Sequence, residues 1–167
     1  MNPKVSSDED ISHLRQAHAC EIFRSNFYES KHVSTSVSCS DLDQLIISEK
    51  ARPSLLICPL ELAGKTLGVI SRYSPNAISN VLLEAIDEAT IQIYNDSIRD
   101  MQYDGSNNDG PVNNDIKEAL KYHREIKASS SETSSTTEDT SPLGAIIGRK
   151  EVIASGIRTI LRLTKDL

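Results

Sequence analysis

The chain has 167 residues, a length that suits one domain because domains usually contain roughly 100–200 residues. A formal net charge of −6 and an aromatic content of 4%, with no Trp, oppose nucleic-acid binding, which depends on basic surfaces and aromatic stacking. No apolar run approaches the roughly 20 residues that a membrane-spanning helix needs.

The N-terminal part of the chain predicts a flexible acidic lead, residues 1–8, followed by a helix. Residues with a helical spacing are Ile11, Leu14, His18 and Ile22. This spacing predicts an amphipathic helix over 9–28. Further along, residues 32–38 suit an edge strand or a loop, and 41–49 suit one short helix.

A β-hairpin is predicted next, with strands over 54–62 and 66–71. The first strand is nearly continuously apolar, which is typical of a strand covered on both faces. Pro59 disfavours a helix and suits a sheet edge, while Gly64 supplies the backbone freedom of a tight turn. Gly68 lies within the return strand and predicts the close approach of another element, namely the helix that follows.

A long helix is predicted over 76–100, because Ser74 and Pro75 suit its N-cap and first turn. Its apolar positions share one face and are Ile78, Leu82, Ala85, Ile86, Ala89 and Ile93. This stripe can cover one face of the hairpin. The domain body is therefore expected to span residues 9–102.

Two linkers follow the predicted domain. Residues 103–127 are expected to form a turn-rich linker and a short polar helix, whereas 128–142 are too rich in Ser, Thr and acidic residues to fold. Candidate phosphorylation sites, each with Glu three residues on or Pro directly following, are Ser6, Ser129, Ser135 and Ser141. A phosphate would add about −1.5 to −2 charges at each site. The alternative is a plain solvated linker.

Residues 143–167 predict an amphipathic docking helix. Its candidate partner-binding residues are Ile153, Ile157, Arg158, Ile160, Leu161 and Arg162. Gly156 lowers helix propensity by ~1 kcal/mol, so the helix is expected to form when docked. It could dock on the acidic body of its own chain, in a partner groove or on a membrane surface. Because no aromatic anchor is present, a protein surface is favoured.

The segment 54–97 resembles the C-terminal half of a GAF domain. Residues that carry the resemblance are Pro59-Leu60, Gly64-Lys65, Leu67-Gly68-Val69-Ile70, Ser74-Pro75 and Leu82 to Asn95. The resemblance implies an α/β (α+β) fold, GAF-like or profilin-like, with an antiparallel sheet backed by the long helix, and a ligand-binding or regulatory role. Only residues 29–53 separate the first helix from the hairpin, so the domain is expected to be degenerate or incomplete.

One GAF-like lineage reduces free methionine sulfoxide with thiols, so the three cysteines are candidates for this chemistry. Cys58 lies in an apolar strand, Cys20 on a helix and Cys39 in a Ser-rich loop, so structural roles are predicted. A metal site from His13, His18 and Cys20 lacks a fourth ligand. We therefore predict no catalytic, metal or cofactor residue.

These observations predict a non-catalytic regulatory module that binds another protein, with a homodimer through the 76–100 helix as one option. A small-molecule sensor, with its pocket between the hairpin and residues 30–50, is the alternative, and a thiol-dependent methionine sulfoxide reductase is third. Three Cys residues without an apolar leader predict reduced thiols in the cytoplasm or nucleus.

Overall fold

A computed structural model describes residues 8–31, 44, 46–47, 51–103, 111–131 and 143–166. Its helices are α1 (Asp8–Lys31), α2 (Ile57–Tyr73), α3 (Asn76–Tyr103), α4 (Pro111–Ser131) and α5 (Leu143–Asp166). No strand occurs among the described residues. The predicted α/β fold with an antiparallel sheet is therefore wrong, and these helices form an all-α bundle.

Helix α1 is the centre of the bundle and contacts each of the other four helices. Helix α2 runs parallel to α1, since Gly64 and Gly68 lie against Phe23 and Phe27 in the same order. Helix α3 runs antiparallel to α1, and α4 runs antiparallel to α3. Helix α5 runs parallel to α3, because its ion pairs with α3 advance along both helices together.

The predicted hairpin is instead helix α2, which also removes the basis for the GAF resemblance. Pro59 is the third residue of this helix, where its missing N–H is one that no helical carbonyl would have paired. Gly64 and Gly68 do not form a turn. A Cβ atom at Gly64 would collide with the carbonyl oxygen of Phe23, and one at Gly68 with that of Phe27. The glycines are therefore required by close packing against α1, not against the following helix.

The long helix predicted over 76–100 is confirmed as α3. Most of its apolar stripe is buried, with Ala85, Ile86 and Ala89 fully so, whereas Ile78 remains 45% exposed. This stripe packs into the core of the same chain, together with side chains of α1, α2 and α5. The stripe is thus occupied by neighbours within the chain itself.

Two apolar clusters form the core. One joins α1, α2, α3 and α5, and the other joins α1, α3 and α4 with Ile46 and Ala51. Because α1 contributes to both, it is buried nearly all round. The predicted amphipathic character of this helix is therefore wrong, and its polar residues His13 and His18 are both buried.

The remaining element predictions have mixed outcomes. Helix α4 extends from Pro111 to Ser131, so it includes most of the predicted linker 103–127 and the first residues of the predicted disordered segment. The terminal helix is confirmed as α5. Residues 44, 46 and 47 are helical, as predicted for 41–49. The lead before Asp8 and residues 32–38 and 132–142 lie outside the described residues. In the described helices, no segment is long and apolar enough to cross a membrane.

Candidate functional site

A buried polar cluster lies at the centre of the bundle, where α1 meets α3 and α4. Tyr94 Oη donates a hydrogen bond to Glu21 Oε1 at 2.8 Å, and His123 Nε2 lies 2.6 Å from the same oxygen. Burial opposes ionisation of Glu21, but the contact with His123, the charge of Arg24 and the hydrogen bond from Tyr94 together outweigh it and hold the pKa of Glu21 below its ordinary value. The carboxylate therefore fixes α4 and α3 to α1.

A second group of polar side chains extends this cluster by one turn of α1. Arg24 Nε donates to Asp87 Oδ1 at 3.3 Å, and Tyr28 Oη donates to the same carboxylate at 2.9 Å. Burial, and then the Asp87 charge, raise the pKa of Tyr28 far above its ordinary value, so the phenol stays protonated. Each polar group here bonds to another side chain of the interior, which is the arrangement of a structural network.

In the described part of the chain, the two free thiols lie in different surroundings. Cys20 is fully buried, and its Sγ donates to Thr90 Oγ1 at 3.6 Å. Burial, and then the nearby Glu21 charge, raise the pKa of this thiol to about 12, so no thiolate forms near neutral pH. Cys58 is exposed on α2, and Cys39 lies outside the described residues.

The candidate metal ligands His13, His18 and Cys20 are not brought together as a metal site either. His13 and Cys20 lie two turns apart on α1, and burial lowers the pKa of His13. Within the described ranges, no three His, Cys, Asp or Glu side chains are grouped as a metal ion would require. The interior thus has the character of a packed core with internal ion pairs.

The outer side of α2 carries an exposed apolar stripe, which we call the α2 outer face. It consists of Cys58, Leu62, Val69 and Tyr73 of the helix, together with Leu55 in the turn that precedes it. The exposed fractions of its four large members are 80% for Leu55, 67% for Leu62, 46% for Val69 and 79% for Tyr73. Cys58, Leu62, Val69 and Tyr73 recur at intervals of four or seven residues, so they share one side of the helix.

The opposite side of α2 is buried, and three of its four residues are small. Its residues are Leu60, Gly64, Gly68 and Ser71. A polar residue within the outer face, Thr66, donates its hydroxyl to the carbonyl of Leu62 at 2.7 Å, so its methyl group adds to the apolar surface. Helix α2 therefore packs through Leu60 and its small residues, and it leaves Leu62, Val69 and Tyr73 in solvent.

The predicted partner-binding residues of α5 are largely used within the chain itself. Leu161 and Ile157 are buried in the core, and Ile153 packs against it. Arg162 donates to Asp96 of α3 at 2.6 Å, and the half-buried Arg158 donates to the carbonyl of Ala154. Ile160 alone of the aliphatic candidates is half exposed, at 50%.

Further cations of α5 continue this pairing with α3. Lys150 Nζ lies 3.0 Å from a Glu84 carboxylate oxygen and 3.3 Å from one of Glu88, and Lys165 Nζ lies 3.5 Å from Asp100. Of the three docking sites left open by the sequence, α5 therefore occupies the acidic body of its own chain.

Among the candidate phosphorylation sites, Ser129 lies in α4, and Ser6, Ser135 and Ser141 lie outside the described residues.

The sequence does not lead to a prediction of the α2 outer face, because the apolar pattern of this segment favours strands. Its signal is nevertheless present, since Leu55, Leu62 and Val69 recur every seven residues.

The chain was compared with protein families and with curated proteins. No family model matches it, and no curated protein is significantly similar to it.

Proposed function

We propose that this chain is a non-catalytic interaction module that binds another protein through the α2 outer face. The observation that carries the proposal is the exposure of Leu62, Val69 and Tyr73 along one side of α2, with Leu55 exposed in the turn that precedes the helix. Single exposed apolar residues are ordinary, but a contiguous apolar strip of this kind marks an interaction surface.

The spacing of the stripe favours a helix as the partner element. Seven-residue intervals from Leu55 to Val69 match the seam of paired helices, in which apolar side chains of one helix fill gaps on the other. Burying each large aliphatic side chain contributes about 1.5–3 kcal/mol before the cost of association is subtracted. Three or four such residues support a specific complex of moderate affinity.

The charges beside the stripe define the chemistry of that partner helix. Lys65 and Arg72 are exposed on one side of the stripe, and the Arg72 guanidinium lies 5.6 Å from the centre of the Tyr73 ring. An apolar seam flanked by acidic residues on the matching side would therefore complement the α2 outer face.

The other functions weighed from the sequence have less support. The reductase needs a thiolate, and Cys20 is buried with a raised pKa. The small-molecule sensor is predicted to have its pocket beside a β-hairpin, but that segment is helix α2. A regulatory role, phosphorylation of the four serines, and a location in the cytoplasm or nucleus remain proposals. Free Cys20 and Cys58 are compatible with those compartments.

The experiment that tests the proposal compares two double variants of the full chain. Leu62→Arg with Val69→Arg alters the α2 outer face, and Val152→Arg with Leu163→Arg alters exposed aliphatic residues of α5 as a matched control. Partners cross-linked to the wild-type chain are identified, purified and titrated back. We expect the α2 variant to lose at least about tenfold in affinity and the α5 variant to bind normally.

Three results would contradict the proposal. The first is equal binding by both variants. The second is self-association of the wild-type chain in sedimentation experiments that the α2 variant abolishes, since the face would then bind a second copy. The third is binding to phospholipid vesicles that depends on Leu62 and Val69, since the face would then lie on a membrane.

A further inference from the structure

An open groove between α3 and α4 is lined by both apolar and cationic side chains. Its volume is about 510 Å³, within the roughly 300–1,000 Å³ that is usual for ligand pockets. Ile98 of α3 and Leu120 and Ala128 of α4 give it an apolar surface. It is formed by a different pair of helices from the α2 outer face, so it does not depend on the proposed partner binding.

The polar lining of the groove is mainly cationic. Lys117, Lys121 and Arg124 lie on one side of α4, at intervals of four and three residues. Glu125 is the carboxylate of the lining, and it lies 4.0 Å from Lys121 Nζ, at the limit of an ion pair between two exposed side chains. Lys117 forms no ion pair with any carboxylate of the described residues. The groove therefore concentrates positive charge on an acidic chain.

The third cation is held in place across the groove. Arg124 donates from one terminal nitrogen to the amide oxygen of Asn95 on α3, at 2.7 Å. A guanidinium has five N–H donors, so this contact leaves others for a ligand. The cations of α5 differ, since Lys150, Arg162 and Lys165 are paired with carboxylates of α3.

We infer that this groove binds a small amphipathic anion, a carboxylate or phosphate monoester that carries a short alkyl chain. The anionic head lies at Lys117, Lys121 and Arg124, where charge-assisted hydrogen bonds are the strongest available. The alkyl chain lies on Ile98, Leu120 and Ala128, where burial of each methylene contributes about 0.8 kcal/mol to affinity by area alone. An inorganic anion uses only the first of these contacts, and an alcohol only the second.

Calorimetric titration of the full chain with octanoate and octyl phosphate tests this inference. Octyltrimethylammonium carries the same alkyl chain with the opposite charge, and acetate carries the head group without the chain. We expect saturable binding of at least one octyl anion, at least about tenfold tighter than of either control. The bound anion also raises the melting temperature of the chain, because it binds only the folded state.

Two double variants locate the site. Lys117→Ala with Lys121→Ala removes two groove cations, and Lys65→Ala with Arg72→Ala removes two exposed cations of α2. Affinity for the octyl anion should fall at least about tenfold in the first variant and stay within about twofold in the second. Both pairs are on the surface, so circular dichroism should show normally folded variants.

The inference is overturned by the absence of saturable binding, by equal binding of octyltrimethylammonium, or by equal loss of affinity in both double variants. An acidic peptide of four glutamates that binds more tightly than the octyl anions also overturns it, since the groove would then be a protein contact. Loss of partner binding in the Leu62→Arg and Val69→Arg variant leaves this result unaffected, so the two proposals fail separately.

Discussion

Helices α2 and α5 have similar apolar content but pack on α1 in opposite ways. Helix α2 presents Leu60 and its glycines to the interior and leaves Leu62, Val69 and Tyr73 in solvent, whereas α5 presents Ile157 and Leu161 to the core and pairs its cations with α3. The comparison shows that the position of small residues decides which face of a helix is buried. Close backbone contact along Gly64 and Gly68 brings this side of α2 against α1, so the large side chains on the opposite side stay in solvent.

The largest expected effect breaks the glycine contact itself. Gly64→Leu places a side chain against the carbonyl oxygen of Phe23, which belongs to helix backbone and cannot move aside cheaply. We expect a loss of about 3 kcal/mol or more in the free energy of unfolding, measured by urea denaturation.

Gly156→Leu in α5 is the matched control, because nothing lies within 4 Å of an added Cβ there. The same substitution should stabilise this helix by up to about 1 kcal/mol through helix propensity. Destabilisation of equal size at both positions would show that the collision is not the cause.

The next effect concerns the side chains that α5 buries. Leu161→Ala removes a fully buried side chain and should cost about 3 kcal/mol in unfolding free energy. Leu62→Ala on α2 removes a side chain that is 67% exposed and should cost less than about 0.5 kcal/mol. A larger cost at Leu62 than at Leu161 would reverse the assignment of inner and outer faces.

A third test concerns Glu21 of α1, the helix on which α2 and α5 both pack. Its pKa is lower in the folded than in the unfolded chain, so the unfolded chain binds more protons and stability falls as pH drops through about 4.5 and below. Glu21→Gln should cost about 2 kcal/mol near neutral pH and should flatten this acid dependence. Denaturation midpoints between pH 3 and 7 measure both. A variant with an unchanged acid slope would contradict the role of this carboxylate.

The smallest expected effect is at the ion pairs of α5. Lys150→Ala removes the contacts with Glu84 and Glu88, which are partly exposed, so we expect less than about 1 kcal/mol at low salt. In wild type this contribution should decrease as salt is added. If the variant and the wild type differ equally at 50 mM and 1 M salt, the pairing is not the source of the difference.

Sequence periodicity was sufficient for α1, α3 and α5, because each presents apolar residues at helical intervals over many turns. It failed for α2, where Pro59, Gly64 and Gly68 have low intrinsic helix propensity. The same residues are favourable in place, since Pro59 lies in the first turn and the glycines meet α1. This depends on the tertiary neighbour and not on the segment alone.

The buried polar cluster was also beyond prediction from one sequence. Glu21 and His123 are 102 positions apart, and their contact requires α4 to lie against α1. Burial of His13 and His18 has the same cause, since only a central helix is covered on every side. Local pattern indicates which faces are apolar, but it does not indicate how many neighbours a helix acquires.

The central position of α1 has a consequence for synthesis on the ribosome. Gln16 donates to the carbonyl of Leu161, a contact across 145 positions, and the contact between Glu21 and His123 spans 102 positions. At roughly 5–20 residues per second, α1 emerges several seconds before its last neighbours exist. Helix α1 therefore completes its buried contacts only after α5 has been synthesised.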